Sequence, residues 1–266
     1  MVYSSSTESW QVTAASRTGA AGARFAQRWA QELRLTYARR GNQSWVKMQA
    51  VHGQHNWLVC HPLLGLSARL ASGQSWRWHP GLAKTRMQNA AMDPLVRTLG
   101  LSHDSRVLDV NLGQGHDALV LARAGFQVHG LEIDPVIHAM TADGLRRWPE
   151  SRDLAPRITT ERSDHGAWLT LNPTVTWDAV VFSPMFVQPQ FEAEDLRQLR
   201  QVADTTWPSA EVLAAAARVA PVVVVKLERG RHPSLPWRVQ YSGGKRRVVY
   251  ARLIRDEQGG LLEAQR

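Results

Sequence analysis

Beyond residue 100 the chain alternates between short apolar runs and amphipathic stretches, and this alternation limits the fold more than any other feature. Runs at 107–110, 127–131, 157–161, 179–182 and 222–226 read as strands, and stretches at 117–124, 136–148, 192–202 and 209–219 read as helices. A further helix over 93–99 closes at Gly100. Units of strand, helix and strand join their strands in parallel, with helices on both faces of the sheet. The style then changes. Residues 237–241, a Ser242-Gly243-Gly244 turn and residues 247–253 read as an antiparallel hairpin.

The first 80 residues follow another pattern. Phe25, Trp29, Leu33 and Tyr37 recur every fourth position and predict an amphipathic helix over 22–40. Residues 45–51 alternate like a strand, and Trp57-Leu58-Val59-Cys60 reads as another. The expected organisation is a small basic, Trp-rich α/β domain over 1–80, a larger α/β domain over 81–255 and a loose tail over 256–266. Residues 1–9 are polar and Ser-rich and read as disordered. Six of the eleven Trp residues precede residue 80, either as core or as platforms on which bases could stack.

Charge is distributed as unevenly as pattern. Residues 1–100 hold twelve Lys and Arg against three Asp and Glu, whereas residues 101–266 hold twenty of each. The net +9 therefore belongs to the N-terminal part, and a localised basic field suits a polyanion such as nucleic acid. No apolar run approaches a membrane span and the N-terminus lacks a signal pattern, so the expected location is cytoplasmic, without a membrane partner. The lone cysteine, Cys60, excludes an internal disulfide framework and a cysteine-rich zinc site, and reads as a core residue; no metal is expected.

Chemistry concentrates in VLDVNLGQGHDA, residues 107–118. A strand ends at Asp109, and Gly113 and Gly115 form a turn into a helix, where backbone can approach a ligand closely. The spacing Gly113-x-Gly115-x-x-Ala118, with Glu132 further on, also fits a dinucleotide fingerprint. Two carboxylates favour S-adenosylmethionine (SAM). Asp109 stands where it can help hold the methionine end, and Glu132 closes the second strand, where it can accept both ribose hydroxyls. Asp164 follows the third strand and can meet the adenine amino group; Asp134, before Pro135, reads as a helix cap. His165 reads as structural.

Ser183-Pro184-Met185-Phe186 closes the fourth strand. The exocyclic amine of a base is a poor nucleophile because its lone pair is delocalised into the ring. The Ser183 oxygen and the Pro184 carbonyl can accept its N–H bonds, and Phe186 can stack on the base, which such an enzyme takes out of its stack. Lys226, at the end of the fifth strand, and Lys245-Arg246-Arg247 are candidate phosphate contacts, or ordinary strand-end and hairpin residues.

DVNLGQGHDALVLA (109–122), LEIDPVIHAMTADGL (131–145), VVFSPMF (180–186) and VVVVKLERGRHPSL (222–235) together resemble the RsmJ-type family of bacterial 16S ribosomal RNA guanine-N2 methyltransferases. The segment WHPGLA (78–83) is similar to a stretch of related SAM-dependent methyltransferases, and the resemblance runs in order over about 76–253. It implies a Rossmann-like class I methyltransferase sheet, parallel with an antiparallel terminal hairpin, beside the small N-terminal α/β domain. It also implies SAM at Asp109, Gly113, Gly115, Glu132 and Asp164, a catalytic set of Ser183, Pro184 and Phe186, and ribosomal RNA or the small ribosomal subunit as partner. The chain departs from the family pattern in two places. Ser183 stands where the family has Asp, a variant typical of cytosine-N4 methyltransferases, and the stretch after the tetrapeptide, VQPQFEAED, is acidic where the family is basic. A small-molecule or peptide methyltransferase and a non-catalytic RNA-binding factor on the same fold are the alternatives.

Overall fold

The structure is a computed structural model that describes residues 10–81, 83–186, 194–230, 232–243, 247–256, 258 and 260–264. Residues 1–9, most of the acidic stretch after the tetrapeptide, and Lys245 and Arg246 lie outside the described residues. The elements in chain order are β1 (Trp10–Ala14), α1 (Gly19–Leu33), β2 (Thr36–Tyr37), α2 (Trp45–His52), β3 (Asn56–His61), β4 (Gly65–Arg69), β5 (Ser75–Arg77), α3 (Ala83–Met87) and α4 (Pro94–Leu99). They continue as β6 (Arg106–Asp109), α5 (His116–Arg123), β7 (Gln127–Glu132), α6 (Pro135–Arg147), β8 (Ile158–Arg162), α7 (His165–Leu171), β9 (Ala179–Phe182), α8 (Glu194–Arg200), α9 (Ala210–Val219), β10 (Val222–Glu228), β11 (Val239–Ser242) and β12 (Val248–Leu253).

Two units form from this chain. One gathers residues 1–79 with 134–149 and 192–203, and so includes α6 and α8; the other gathers 80–133, 150–191 and 204–266. The first unit is built on a mixed five-stranded sheet in the order β2-β1-β3-β4-β5, with β1 parallel to both neighbours and β3, β4 and β5 antiparallel. Ala26, Trp29, Ala30 and Leu33 give α1 a buried face, and the helix packs on β1 and β3. Trp10, Trp29, Trp57 and Trp76 are all buried, so most of the early Trp residues serve as core.

Two N-terminal expectations are corrected. The helix expected over 22–40 stops at Leu33, because Arg34 turns left-handed (φ 56°) and its N–H closes back on Ala30; Tyr37 falls in β2. The strand expected over 45–51 is the helix α2. Ser44 caps it by accepting the Lys47 N–H, Gly53 ends it at φ 86°, and only Met48 is buried, so the apparent alternation never had two faces to serve. Cys60 is fully buried, and burial, with the charge of Asp143 adding, pushes its thiol up and leaves it unreactive.

The second unit carries a seven-stranded sheet in the order β11-β12-β10-β9-β6-β7-β8. The five strands from β8 to β10 are parallel, and β12 and β11 close the far side antiparallel. The chain enters at β6 in the middle, fills one side with β7 and β8, then returns to fill the other with β9 and β10. That reversal opens a crevice at the carboxyl ends of β6 and β9, the usual ligand position in an open α/β sheet. β6, β9 and the first half of β10 are buried on both faces, which explains their continuous apolar runs.

Candidate active site

Every parallel strand in the second unit ends on the same edge, and the polar residues of the motifs stand there. Asp109 is the last residue of β6 and is buried, with β7 on one flank and β9 on the other. Beyond it the backbone stays tied to both neighbours: Val110 N–H donates to Val181 O (3.0 Å) and Leu112 N–H to Leu131 O (2.9 Å). Gly113 (φ 50°) and Gly115 (φ 71°) then take the left-handed turn that starts α5. Gly130 in β7 lacks a Cβ for a packing reason, since one built there would lie 2.5 Å from Leu112 Cδ1. The glycine turn thus rests directly on the second strand.

Side chains lock this turn to its neighbours. Glu132, at the end of β7, accepts the Gly113 N–H on Oε2 at 2.9 Å. Asn111 works in two directions. Its backbone N–H donates to Asp109 Oδ1 (3.2 Å), and its side-chain oxygen accepts the Ser183 N–H (3.2 Å). Asp109, Asn111 and the tetrapeptide are therefore one hydrogen-bonded chain across the β6–β9 crevice.

Asp109 Oδ2 is buried and has no hydrogen-bond partner among the described residues. Burial, with the nearby charge of Asp117 adding to it, pushes this carboxyl up to about 7, although the Asn111 N–H and Lys226 offset part of the rise. A buried carboxylate oxygen without a partner is costly unless a ligand completes it.

Asp117 is the electrostatic centre of the edge. It sits in the first turn of α5, almost fully buried. Arg86 of α3 donates to its Oδ1, and both the Lys226 ammonium (2.9 Å) and the Ser183 hydroxyl (2.9 Å) donate to its Oδ2. Arg86 is itself held by a fork on Asp93, the cap of α4, at 2.9 and 3.0 Å. Burial works against the charge on Asp117, but Lys226 and Arg86 outweigh it and hold the carboxyl well below the usual carboxylate range. Asp117 therefore cannot take up a proton near neutral pH, but it orients whatever donates to it.

The remaining residues named from sequence are placed as follows. Pro184 is buried, and Phe186 is half-buried at the end of the described segment. Asp164 follows β8 and caps α7 by accepting the Ala167 N–H at 2.7 Å, one strand further out than Glu132. Asp134 caps α6 through the N–H groups of Val136 and Ile137. His165 is half-buried and edge-on to Phe182; burial lowers its pKa against the pull of Asp164 and Asp204. Lys226, read as a candidate phosphate contact, is committed to Asp117 instead. Sequence reasoning missed Asn111, Arg86 and Asp117. Asp117 did carry a signal, an acid in the first turn after a glycine loop, but its partners lie 31 and 109 residues away.

A family model described as "Putative SAM-dependent methyltransferase" matches residues 77–235. The chain belongs to that family. Within the SAM-dependent methyltransferases, it is 33% identical over 156 residues to a protein named ribosomal RNA small subunit methyltransferase J from Alkalilimnicola ehrlichii, covering 53% of this chain and 58% of the relative. The protein of the same name from Thioalkalivibrio sulfidiphilus is 35% identical over 158 residues, covering 53% and 62%. The chain thus spans about three fifths of the length of these curated relatives. The crystal structure of a SAM-dependent methyltransferase from Neisseria gonorrhoeae superposes with a TM-score of 0.63 at 19% identity, over 91% of this chain and 94% of that one, and shows the same fold. The edge has the chemistry that SAM requires. A buried carboxylate oxygen can take an ammonium, a strand-end carboxylate can take vicinal hydroxyls, and a glycine turn lets a ligand approach the backbone.

Proposed function

We propose that this protein methylates an exocyclic amine of a base in ribosomal RNA, with guanine N2 as the specific position by family resemblance. The observation that carries this reading is the Ser183 hydroxyl donating to Asp117 at the crevice beside Asp109. A cytoplasmic location follows from such a substrate, and the first eighty residues serve as its RNA-binding module. The names of the curated relatives support the substrate class.

When bound, SAM supplies an electrophilic methyl group. In this reading Asp109 Oδ2 takes its ammonium, Glu132 its ribose hydroxyls, and Asp164 the adenine amino group. Gly113 and Gly115 allow the close approach. The rest is the work of the tetrapeptide. Ser183 spends its proton on Asp117, so its oxygen presents lone pairs to an incoming N–H. The Pro184 carbonyl accepts a second N–H, and Phe186 stacks on the ring. Holding both N–H bonds in this way draws the nitrogen towards sp3 geometry, takes its lone pair out of conjugation with the ring and aims it along the transfer direction. Asp117 is a positioning residue, not a base, because Lys226 and Arg86 hold its affinity for a proton too low for it to accept one. The amine proton leaves to water once the new bond has formed.

The test is transfer of tritiated methyl from SAM to small ribosomal subunits taken from a strain lacking the protein, with DNA, protein extract and metabolites as parallel acceptors. Label in ribosomal RNA, lost in Ser183→Ala and Phe186→Ala, is the expected result. Label confined to protein or metabolites overturns the RNA substrate; SAM binding with no label in any pool overturns the catalytic reading.

A further inference from the structure

The basic excess of the first unit is drawn together most tightly on one indole. Residues 10–79 contain nine Lys and Arg but a single acid, Glu32. Most of these cations are exposed, with Arg28 lying 5.4 Å from the Phe25 ring centroid; Arg40 and Arg69 are half-buried. They converge on one indole: the Arg40 guanidinium lies 3.9 Å from the Trp45 ring centroid, and that of Arg69 lies 4.9 Å from it.

The local fold enforces this convergence. Trp45 opens α2 and leans against Trp57, at a centroid distance of 6.1 Å, and Trp57 is core. Arg69 ends β4 directly across the ladder from Trp57. Arg40 reaches in from the loop before α2, with its Nε donating to Gln43 O at 3.0 Å. Arg69 donates, among the described residues, only to Ser75 Oγ, at 3.3 Å. Among the described residues neither guanidinium meets a carboxylate. All three side chains are half-buried, so both charges have lost part of their hydration. Burial lowers the pKa of Arg40, and the charge of Arg69 lowers it further, as expected of like charges held together without a counter-ion.

Stacking on an indole orients a guanidinium without using its N–H donors. Two guanidiniums fixed in this way, with most donors still available, match an anion with several oxygens. We infer that Arg40, Trp45 and Arg69 form a phosphate-binding site that grips the RNA backbone. The commitment to RNA, rather than another polyanion, rests on the reading of the protein as a ribosomal RNA methyltransferase. The phosphate chemistry rests on the three side chains alone.

The experiment compares full-length wild type, Arg40→Gln/Arg69→Gln and Arg40→Lys/Arg69→Lys. Binding to a fluorescein-labelled fragment of small-subunit ribosomal RNA is followed by anisotropy from 50 to 300 mM KCl, and SAM affinity and thermal midpoint are measured alongside. Each phosphate contact contributes about 0.7 to 0.9 to the slope of log K against log salt. The Gln pair is expected to lower that slope by about 1 to 2 and to weaken binding roughly 10- to 100-fold at 0.15 M salt. The Lys pair keeps the slope and loses only several-fold. SAM affinity and kcat at saturating RNA stay unchanged while KM rises. Equal affinity and slope in wild type and the Gln pair overturn the site while leaving the RNA reading intact. Wild type that binds SAM but no RNA overturns both. An acidic peptide that displaces RNA from wild type and binds the Gln pair less well, while RNA binds both alike, assigns the arginines to a protein partner and also overturns the site.

Discussion

The Ser183 hydroxyl and the Lys226 ammonium share one oxygen, Oδ2 of Asp117, each at 2.9 Å. The cation fixes the carboxylate, and the carboxylate fixes the hydroxyl. Ser183→Ala removes only the last link. Its kcat is expected to fall about 10²-fold, within the usual range for losing one oriented polar contact in a transition state, while SAM affinity stays within about twofold. Ser183→Thr restores part of the rate. A Ser183→Ala enzyme with unchanged kcat rules the hydroxyl out of the reaction.

Asp117→Asn tests the next link. It leaves Arg86 and Lys226 facing a neutral amide in a largely buried corner, and breaking such a pair costs about 3 kcal/mol or more. For a chain of this size that is a fall in Tm of roughly 6–12 °C. The kcat effects of Ser183→Ala and Asp117→Asn are expected to be non-additive, because both remove the same orientation. Additive losses mean that Asp117 supports the fold only.

SAM affinity should follow the ionisation of Asp109. Its carboxyl is pushed up to about 7, so it is mostly neutral at pH 6 and ionised at pH 8. The ammonium of SAM selects the ionised form. Affinity therefore rises as pH increases towards about 7, by close to tenfold per unit below it, and falls again once the amino group of the ligand deprotonates near about 8. Calorimetry at pH 6.5 in buffers of different ionisation enthalpy should show proton release on binding. Stability of the free protein has the opposite sign. A raised carboxyl pKa favours the protonated fold, so this contribution is present in acid and is lost as pH rises from about 4 to about 7. Asp109→Asn should flatten both profiles; an affinity slope that persists in this variant sinks the assignment.

Glu132 holds the turn through Gly113, and in the proposed reading its carboxylate takes the ribose hydroxyls. Glu132→Ala is expected to weaken SAM at least tenfold, about 1.4 kcal/mol, with the RNA affinity of the chain unchanged. Titration calorimetry decides between this and a purely structural role, in which stability would drop and SAM affinity would not.

Gly130→Ala inserts a methyl group 2.5 Å from Leu112 Cδ1, inside a buried contact. Overpacking of this kind costs about 1–3 kcal/mol. Because Leu112 lies in the glycine turn, SAM affinity should fall together with Tm.

The second unit was largely readable from sequence because its central strands β6, β9 and the first half of β10 are buried on both faces and its helices carry strong stops, such as the Asp93 cap and Gly100 (φ 61°) around α4. The chain there has few alternatives. The first unit was harder for the opposite reason. α2 buries only Met48, so apolar periodicity carried no information, and the real signals were Ser44 and Gly53 at its ends. β4 and β5 are short and rich in small or polar residues, and their pairing depends on a neighbour that local sequence does not identify. At the strand edge, the positions of Asp109, Glu132 and Ser183 were legible because the first two end apolar strands and the third directly follows one. Arg86 was not, because nothing in AKTRM distinguishes an arginine aimed at Asp117 from one aimed at solvent.

The carboxylate at Asp117 draws its partners from α3, from β10 and from the segment after β9. Such a corner cannot open by degrees. Peeling away either cation-bearing element strands a buried charge, so the lowest-cost way to expose Asp117 is to unfold the whole sheet. The Leu119 amide hydrogen of α5, bonded to Gly115 O, and those in the middle of β10 should then exchange only through global unfolding, with one shared protection limit. The acceptor geometry at Ser183 would be present in full in every folded molecule and absent from every partly folded one.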